Sequence, residues 1–176
     1  MSQKILVAFA SRTGSTAGVA DLIGKTLSEA GHQVDVLPMK DVKEITQYDA
    51  VVAGSAIQSA AWLPEAVHFV RAHQRDLKAK PFAAFLVCMT LAMKNGDYHQ
   101  QVTAWMDPVC RLVKPVSRGL FAGALDIHKV PNFADRVKFR LSVKLGVWTE
   151  GDHRDWAAIR VWAESLIPLM GLKAVL

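Results

Sequence analysis

Six consecutive residues, Ser11, Arg12, Thr13, Gly14, Ser15 and Thr16, carry the densest chemical signal in the chain. Hydroxyl side chains interleaved with a glycine bring several O–H and N–H donors toward one point. If a helix starts here, its N-terminus adds roughly half a positive charge. Such a set cradles a terminal phosphate without a lysine. It is neither a Walker loop, since GxxxxGK is absent, nor GxGxxG. Two further stretches, Gly54 to Trp62 and Met89 to Tyr98, are rich in small residues, and each holds an aromatic. The candidates to border a ligand are Ser55, Ala56, Ile57, Gln58 and Trp62 in the first, and Met89, Thr90, Leu91, Asn95, Gly96 and Tyr98 in the second. Each aromatic alone reads as ordinary packing. Together the loops could hold a flat ring, with backbone amides at its polar edge and stacking worth about 1 kcal/mol beyond area burial.

These loops need a scaffold, and the alternation of apolar patterns supplies one. Lys4 to Ala10 is a nearly continuous apolar run, as expected of a strand buried on both faces. Val19, Ile23 and Leu27 then recur every four residues on one helical face, and Gly31 suits a left-handed cap. Gln33 to Leu37 and Ala50 to Ser55 read as the next strands, with a short helix over Asp41 to Ile45 between them. A helix is expected from Pro64 to about Arg75, a strand from Pro81 to Cys88, a helix from Gln100 to Leu112 and a fifth strand from Pro115 to Ala124. Asp155 is an apt N-cap for a last helix with Trp156, Ile159, Ala163, Leu166 and Ile167 inward. The order predicts an α/β fold, a doubly wound five-stranded parallel sheet with helices on both faces. All three loops then leave carboxyl ends of strands, where such sheets bind ligands.

One segment breaks the alternation. Residues 126–154 separate the fifth strand from the last helix, far beyond the usual connection of about 2 to 6 residues. Apolar and polar side chains alternate over 136–147, which suggests a strand. Yet Val137, Leu141, Leu145 and Trp148 also share a helical face, so both readings stand. Residues 129–148 hold five basic side chains and one acidic, Asp135. The whole chain, with 21 Lys+Arg and 16 Asp+Glu, carries +5, and residues 1–110 are balanced at 10 and 10. The excess therefore lies in the C-terminal third, mostly in the insertion. Arg136, Lys138, Arg140 and Lys144 are a solvated face, a docking patch for an anionic membrane, or a grip on substrate carboxylates.

Other classes drop out. At 176 residues with 51% hydrophobic composition, the chain is expected to form one soluble domain. The longest uncharged apolar run, Pro81 to Met93, has 13 residues, short of the 18 to 20 or so that span a bilayer. No signal-peptide pattern opens the chain. Cys88 and Cys110 form neither a disulfide framework nor a zinc pattern, and six scattered histidines make no metal motif. A cytoplasmic setting follows, with no metal and no nucleic-acid motif.

The loop Ser11-x-Thr13-Gly14-x-Thr16 and the order of elements resemble the flavodoxin family, in which FMN sits with its phosphate in a Ser/Thr-x-Thr-Gly-x-Thr loop. The Gly54-Ser-Ala-Ile stretch, Phe121 to Leu125 and the long basic insertion are similar to the bacterial menaquinone-dependent protoporphyrinogen dehydrogenase type. This resemblance implies an enzyme of haem biosynthesis that passes electrons from protoporphyrinogen through FMN to a membrane quinone. It also implies that the protein sits at the inner face of the membrane. Flavodoxins that carry electrons between soluble partners are usually strongly acidic, whereas the pI here is near 9.4. A non-catalytic carrier serving a protein partner is the alternative.

Overall fold

The computed structural model describes residues 2–93, 96–130 and 132–173. Strand β1 (Lys4–Ala10) leads into helix α1 (Ser15–Glu29), and β2 (Gln33–Pro38) follows. Strand β3 (Ala50–Gln58) turns back through β4 (Ala61–Trp62) into α2 (Pro64–Ala72) and α3 (Gln74–Lys78). Then come β5 (Phe82–Cys88), α4 (His99–Ala104), α5 (Asp107–Leu112) and β6 (Arg118–Ala122). The chain ends with β7 (Ala124–Leu125), α6 (Phe133–Lys144), β8 (Gly151–Asp152) and α7 (Trp156–Leu169). Strands β2-β1-β3-β5-β6 lie side by side in parallel, as predicted, with β4 added antiparallel to β3. The order reverses at β1 and β3, which opens a crevice at their carboxyl ends.

Two apolar layers explain the unbroken hydrophobic strands. Ile5 and Val7 face α1 and α7 through Val19, Ile23, Leu27, Ile159, Ala163 and Leu166. Leu6 and Ala8 face the other side, where Leu63, Phe69, Val102 and Val109 pack. Successive side chains point to opposite faces, so a strand covered on both must be apolar throughout. Gly31 has φ of 93° and ends α1 as expected.

Several predicted boundaries are corrected. Between β2 and β3 there is a single 3-10 turn, Met39–Asp41, in place of a helix over 41–45. The long helices predicted over 64–75 and 100–112 each split in two. Pro108 stands in the first turn of α5, a position it tolerates, whereas inside a continuous helix it would remove a hydrogen bond and clash with the preceding turn. The predicted fifth strand divides at Gly123 into β6 and β7, and β7 pairs with β8 across the insertion. Trp156 is 40% exposed, not inward; the Arg154 guanidinium lies 4.3 Å from its ring centre.

Of the ambiguous stretch 136–147, residues 136–144 are helical and 145–147 turn out of the helix. Asn132 caps α6 by accepting from the Ala134 N–H at 3.0 Å. The alternation arises because α6 has apolar residues on two faces. Phe139 and Val143 are half-buried, while Phe133, Val137, Leu141 and Leu145 line the outer face, exposed.

His32, beside Gly31, is buried and neither ring nitrogen has a hydrogen-bond partner among the described residues. Burial lowers its pKa, favouring the neutral ring. The unfolded chain takes up a proton near pH 6.5, the ordinary value, before the folded one does, so stability declines as pH falls through that range. Replacing His32 by Leu is expected to stabilise the protein at pH 7 by about 1 kcal/mol and to flatten the decline between pH 7 and 5.5. Thermal melts across that range test it; a parallel decline in both proteins refutes it.

Candidate functional site

The phosphate-type loop joins β1 to α1 at the carboxyl edge of the sheet. Gly14 takes φ of 91° at the N-cap of α1, a left-handed conformation that glycine adopts without steric cost. Its N–H donates to Ser11 Oγ at 3.0 Å, which tightens the turn. The first-turn amides of a helix lack intrahelical acceptors. Thr16 is fully buried in that turn, and its Oγ1 has no hydrogen-bond partner among the described residues. A buried hydroxyl without a partner costs about 1 to 3 kcal/mol, a cost that a ligand oxygen reaching it would offset.

Beside the loop lies a cavity of about 340 Å³. Arg12, Thr13 and Ser15 line one end, Ala56, Ile57 and Gln58 come from the end of β3, and Met89 follows β5. The insertion adds Asp126, Asp135 and Phe139 to its lining. The three predicted loops therefore meet, and the insertion is part of the same enclosure. Arg12 is tied to Glu65 in the first turn of α2 by a bidentate ion pair. The hydrogen bond from Arg12 holds the Glu65 carboxyl below its ordinary pKa.

Other predicted residues have different places. Ser55 is buried and engaged within the protein: its hydroxyl donates to the Ala56 carbonyl at 2.7 Å and accepts from the Leu63 N–H at 3.0 Å. It shapes the β3–β4 hairpin. Trp62 lies in the core at 4% exposure, away from the cavity, because pairing Ile57 with Trp62 folds it under the hairpin; this corrects its expected stacking role. Leu91 and Tyr98 pack against the same core layer, while Thr90 borders a second, outer cavity. Gly96 has φ of 122°, and Asn95 lies outside the described residues. Of the basic candidates, Lys138 borders the outer cavity and pairs with Asp135 at 3.7 Å. Arg136 donates from Nε to the Val130 carbonyl at 2.5 Å, and Arg140 and Lys144 are exposed.

Sequence reading missed Arg154 and Lys129. With Thr13, Gly14 and Ser15 they border a small hollow of about 130 Å³ at the loop. Arg154 donates to the Ser15 carbonyl at 3.2 Å, and its other nitrogens hold both oxygens of Asp152 at 2.7 and 2.8 Å. These hydrogen bonds keep the Asp152 carboxyl below its ordinary pKa. A separation of 139 residues leaves no local pattern that could have found this contact. The insertion likewise brings Asp126 and Asp135 to a cavity whose two flanking loops hold Asp97 as their sole carboxylate.

FMN, which the resemblance implies, fits these residues on two counts. The loop holds a buried donor lacking an acceptor, and the adjoining slot is walled by Ile57, Leu63, Val87 and Met89 with a polar edge at Gln58. Among the described residues no group of His, Cys, Asp or Glu could hold a metal ion.

Comparison with solved structures gives the same fold. A short-chain flavodoxin associated with a non-canonical PDU bacterial microcompartment aligns with TM-score 0.58 and 14% identity, over 94% of this chain and 97% of that one. The Streptococcus pneumoniae TIGR4 flavodoxin aligns at 0.55 and 15%, over 94% and 98%. Two-electron reduced Megasphaera elsdenii flavodoxin aligns at 0.53 and 17%, over 89% and 98%. No curated protein sequence matches significantly. Residues 6–154 match the sequence profile described as "Flavodoxin domain". With the 2-1-3-5-6 parallel sheet and the phosphate-type loop at its switch point, the chain belongs to the flavodoxin family.

Proposed function

We propose that this chain binds FMN noncovalently and acts as a flavin-dependent oxidoreductase, passing electrons from a reduced organic substrate to a quinone at a membrane surface. Bound FMN supplies the electron transfer, and the protein supplies binding, orientation and electrostatic setting. Ser11, Thr13, Gly14, Ser15 and Thr16 hold the phosphate end; Ala56, Ile57, Gln58 and Met89 border the ring. The observation that carries an enzyme reading is the cavity wall. The insertion adds Asp126, Asp135 and Phe139 to the lining of the cavity, which favours a small molecule beside the cofactor over a cofactor edge left bare for a protein partner.

The outer face of α6 supports membrane contact. Phe133, Val137, Leu141 and Leu145 are 49 to 76% exposed, in a stripe at four-residue spacing. Arg136, Arg140 and Lys144 run along one side of it and Lys138 along the other. Apolar residues flanked by cations suit an anionic bilayer surface. Among the described residues no helix is long and apolar enough to cross a membrane, so contact is peripheral. Protoporphyrinogen, the donor the resemblance implies, is the first to test. The second reading, an electron carrier, is favoured by the family itself.

Anaerobic spectroscopy separates the two. Bleaching of the flavin bands by protoporphyrinogen and recovery on adding menadione supports the enzyme. Flavin that exchanges electrons with reduced ferredoxin yet ignores both small molecules supports the carrier and overturns the proposal. Co-sedimentation with phosphatidylglycerol vesicles, lost when Arg136, Arg140 and Lys144 become Gln, supports the membrane surface; no binding by the native protein refutes it.

A further inference from the structure

The inner cavity has a larger neighbour. An outer chamber of about 610 Å³ shares Ile57, Gln58, Met89 and Phe139 with it. Three aromatic side chains, Trp105, Phe139 and Trp148, form its walls together with the hairpin tip. All three are half-buried. Phe139 and Trp148 lie with ring centres 5.1 Å apart, tilted at 32° to each other. The Trp148 indole N–H is buried and has no acceptor among the described residues. A buried donor left without a partner is costly, and the residue that carries it borders a space large enough for a small ligand.

The hairpin tip carries a second anomaly. Ser59 and Ala60 have φ of 51° and 60°, and both border the chamber. A two-residue hairpin of this type favours Asn-Gly, because left-handed backbone costs other residues about 1 to 2 kcal/mol each. Side chains are thus retained at positions where glycine would relieve strain, which places a methyl and a hydroxyl at the rim. Strain of this kind clusters at ligand sites.

We propose that the outer chamber is a separate binding site for a flat, conjugated, carbonyl-bearing organic molecule. The ring lies among Trp105, Phe139 and Trp148, and a carbonyl oxygen accepts from the Trp148 N–H. The proposal rests on the inner cavity being the FMN site, since the shared wall is what brings the two ligands together. It assigns α6 a recognition role beyond covering the cofactor: Phe139 borders both spaces, so the same side chain touches each ligand.

The test uses FMN-loaded protein and two probes, anthraquinone-2-sulfonate and anthracene-2-sulfonate, which differ in the carbonyl groups. Binding is read by quenching of tryptophan fluorescence and by calorimetry. The native protein is expected to prefer the anthraquinone about five- to tenfold, and Trp148→Phe to erase that preference while keeping the ring. Phe139→Ala is expected to weaken both probes about tenfold. Unchanged circular dichroism and melting temperature exclude a folding defect in Trp148→Phe. Equal affinity for the two probes, or a preference that survives Trp148→Phe, overturns the proposal. So does a probe that FMN displaces, because it then occupies the inner cavity. Flavin absorbance retained after gel filtration scores FMN binding separately, so loss of the cofactor and loss of the probe are told apart.

Discussion

Thr16→Val is expected to weaken FMN binding roughly tenfold to a hundredfold while making the cofactor-free protein more stable. Valine matches threonine in shape, so the buried first turn of α1 keeps its packing. What disappears is an O–H with no partner among the described residues. Without ligand, removing an unsatisfied buried hydroxyl stabilises by about 1 kcal/mol. With ligand, the same hydroxyl would donate to a charged phosphate, an interaction worth about 1.5 to 3 kcal/mol. The two effects have opposite signs, which a general folding defect would not produce. Melting temperature measured with and without a fixed excess of FMN shows both at once, since bound ligand raises stability with the logarithm of its affinity. Thr16→Ser, which keeps the donor, should retain most of the affinity. Equal FMN affinity in Thr16→Val would refute this role of the hydroxyl.

Gly54→Ala is expected to destabilise the protein by about 3 kcal/mol, at the upper end of overpacking effects. Gly54 and Phe85 are cross-strand partners in β3 and β5, and the Phe85 ring lies over the glycine. A Cβ at position 54 would sit 2.0 to 2.3 Å from three of its ring carbons. The ring has nowhere to go. It is fully buried, with Phe121 and Trp162 centred 6.2 and 6.1 Å away. Trp162 is itself held by a hydrogen bond from its indole N–H to Ser117 Oγ at 2.9 Å. Relief must therefore come from separating β3 from β5, and β3 continues directly into Ala56, Ile57 and Gln58 at the cavity. FMN affinity should fall together with stability. A double-mutant cycle with Phe85→Leu gives the sharper test: the smaller side chain makes room, so the double variant should be more stable than the two single effects predict. Urea unfolding of the four proteins measures the coupling, and strict additivity would show that the ring contact is not the cause.

The central scaffold was legible because its pattern is local. Ile5 to Ala8 and Phe82 to Val87 are apolar at every position, and a strand covered on both faces demands that. Asp155 and Gly31 mark helix ends by side-chain capping and by left-handed backbone, each a property of a single residue type. The loop from Ser11 to Thr16 was legible for the same reason: its donors are contiguous. Where the reading failed, a distant partner decided. Trp62 looks like a ring-stacking residue in sequence, but antiparallel pairing with Ile57 turns it into the core. The Ser55 hydroxyl, polar in sequence beside the expected ring, bonds within its own hairpin. Over 136–147, alternation cannot distinguish a strand from a helix with two apolar faces. The cap at Asn132, one inward face at Phe139 and one exposed face from Phe133 to Leu145 resolve it.

By itself, then, the sequence determined a parallel sheet wound with helices and a hydroxyl-rich loop at its first turn, since periodicity and contiguous hydroxyls act within a few residues. Tertiary structure alone decided what encloses that loop. Arg154 reaches Ser15 across most of the chain length, and Asp126, Asp135 and Phe139 arrive from an insertion whose charge suggested a partner without locating one. Its positive charge is partly used up within the fold, in the Lys129–Asp126 and Lys138–Asp135 pairs. What remains lies beside an exposed apolar stripe on α6, while the opposite face of that helix borders the site. A one-dimensional pattern shows how much apolar and charged surface a helix carries. Which face turns toward the cofactor and which toward solvent depends on the packing of every element beneath it.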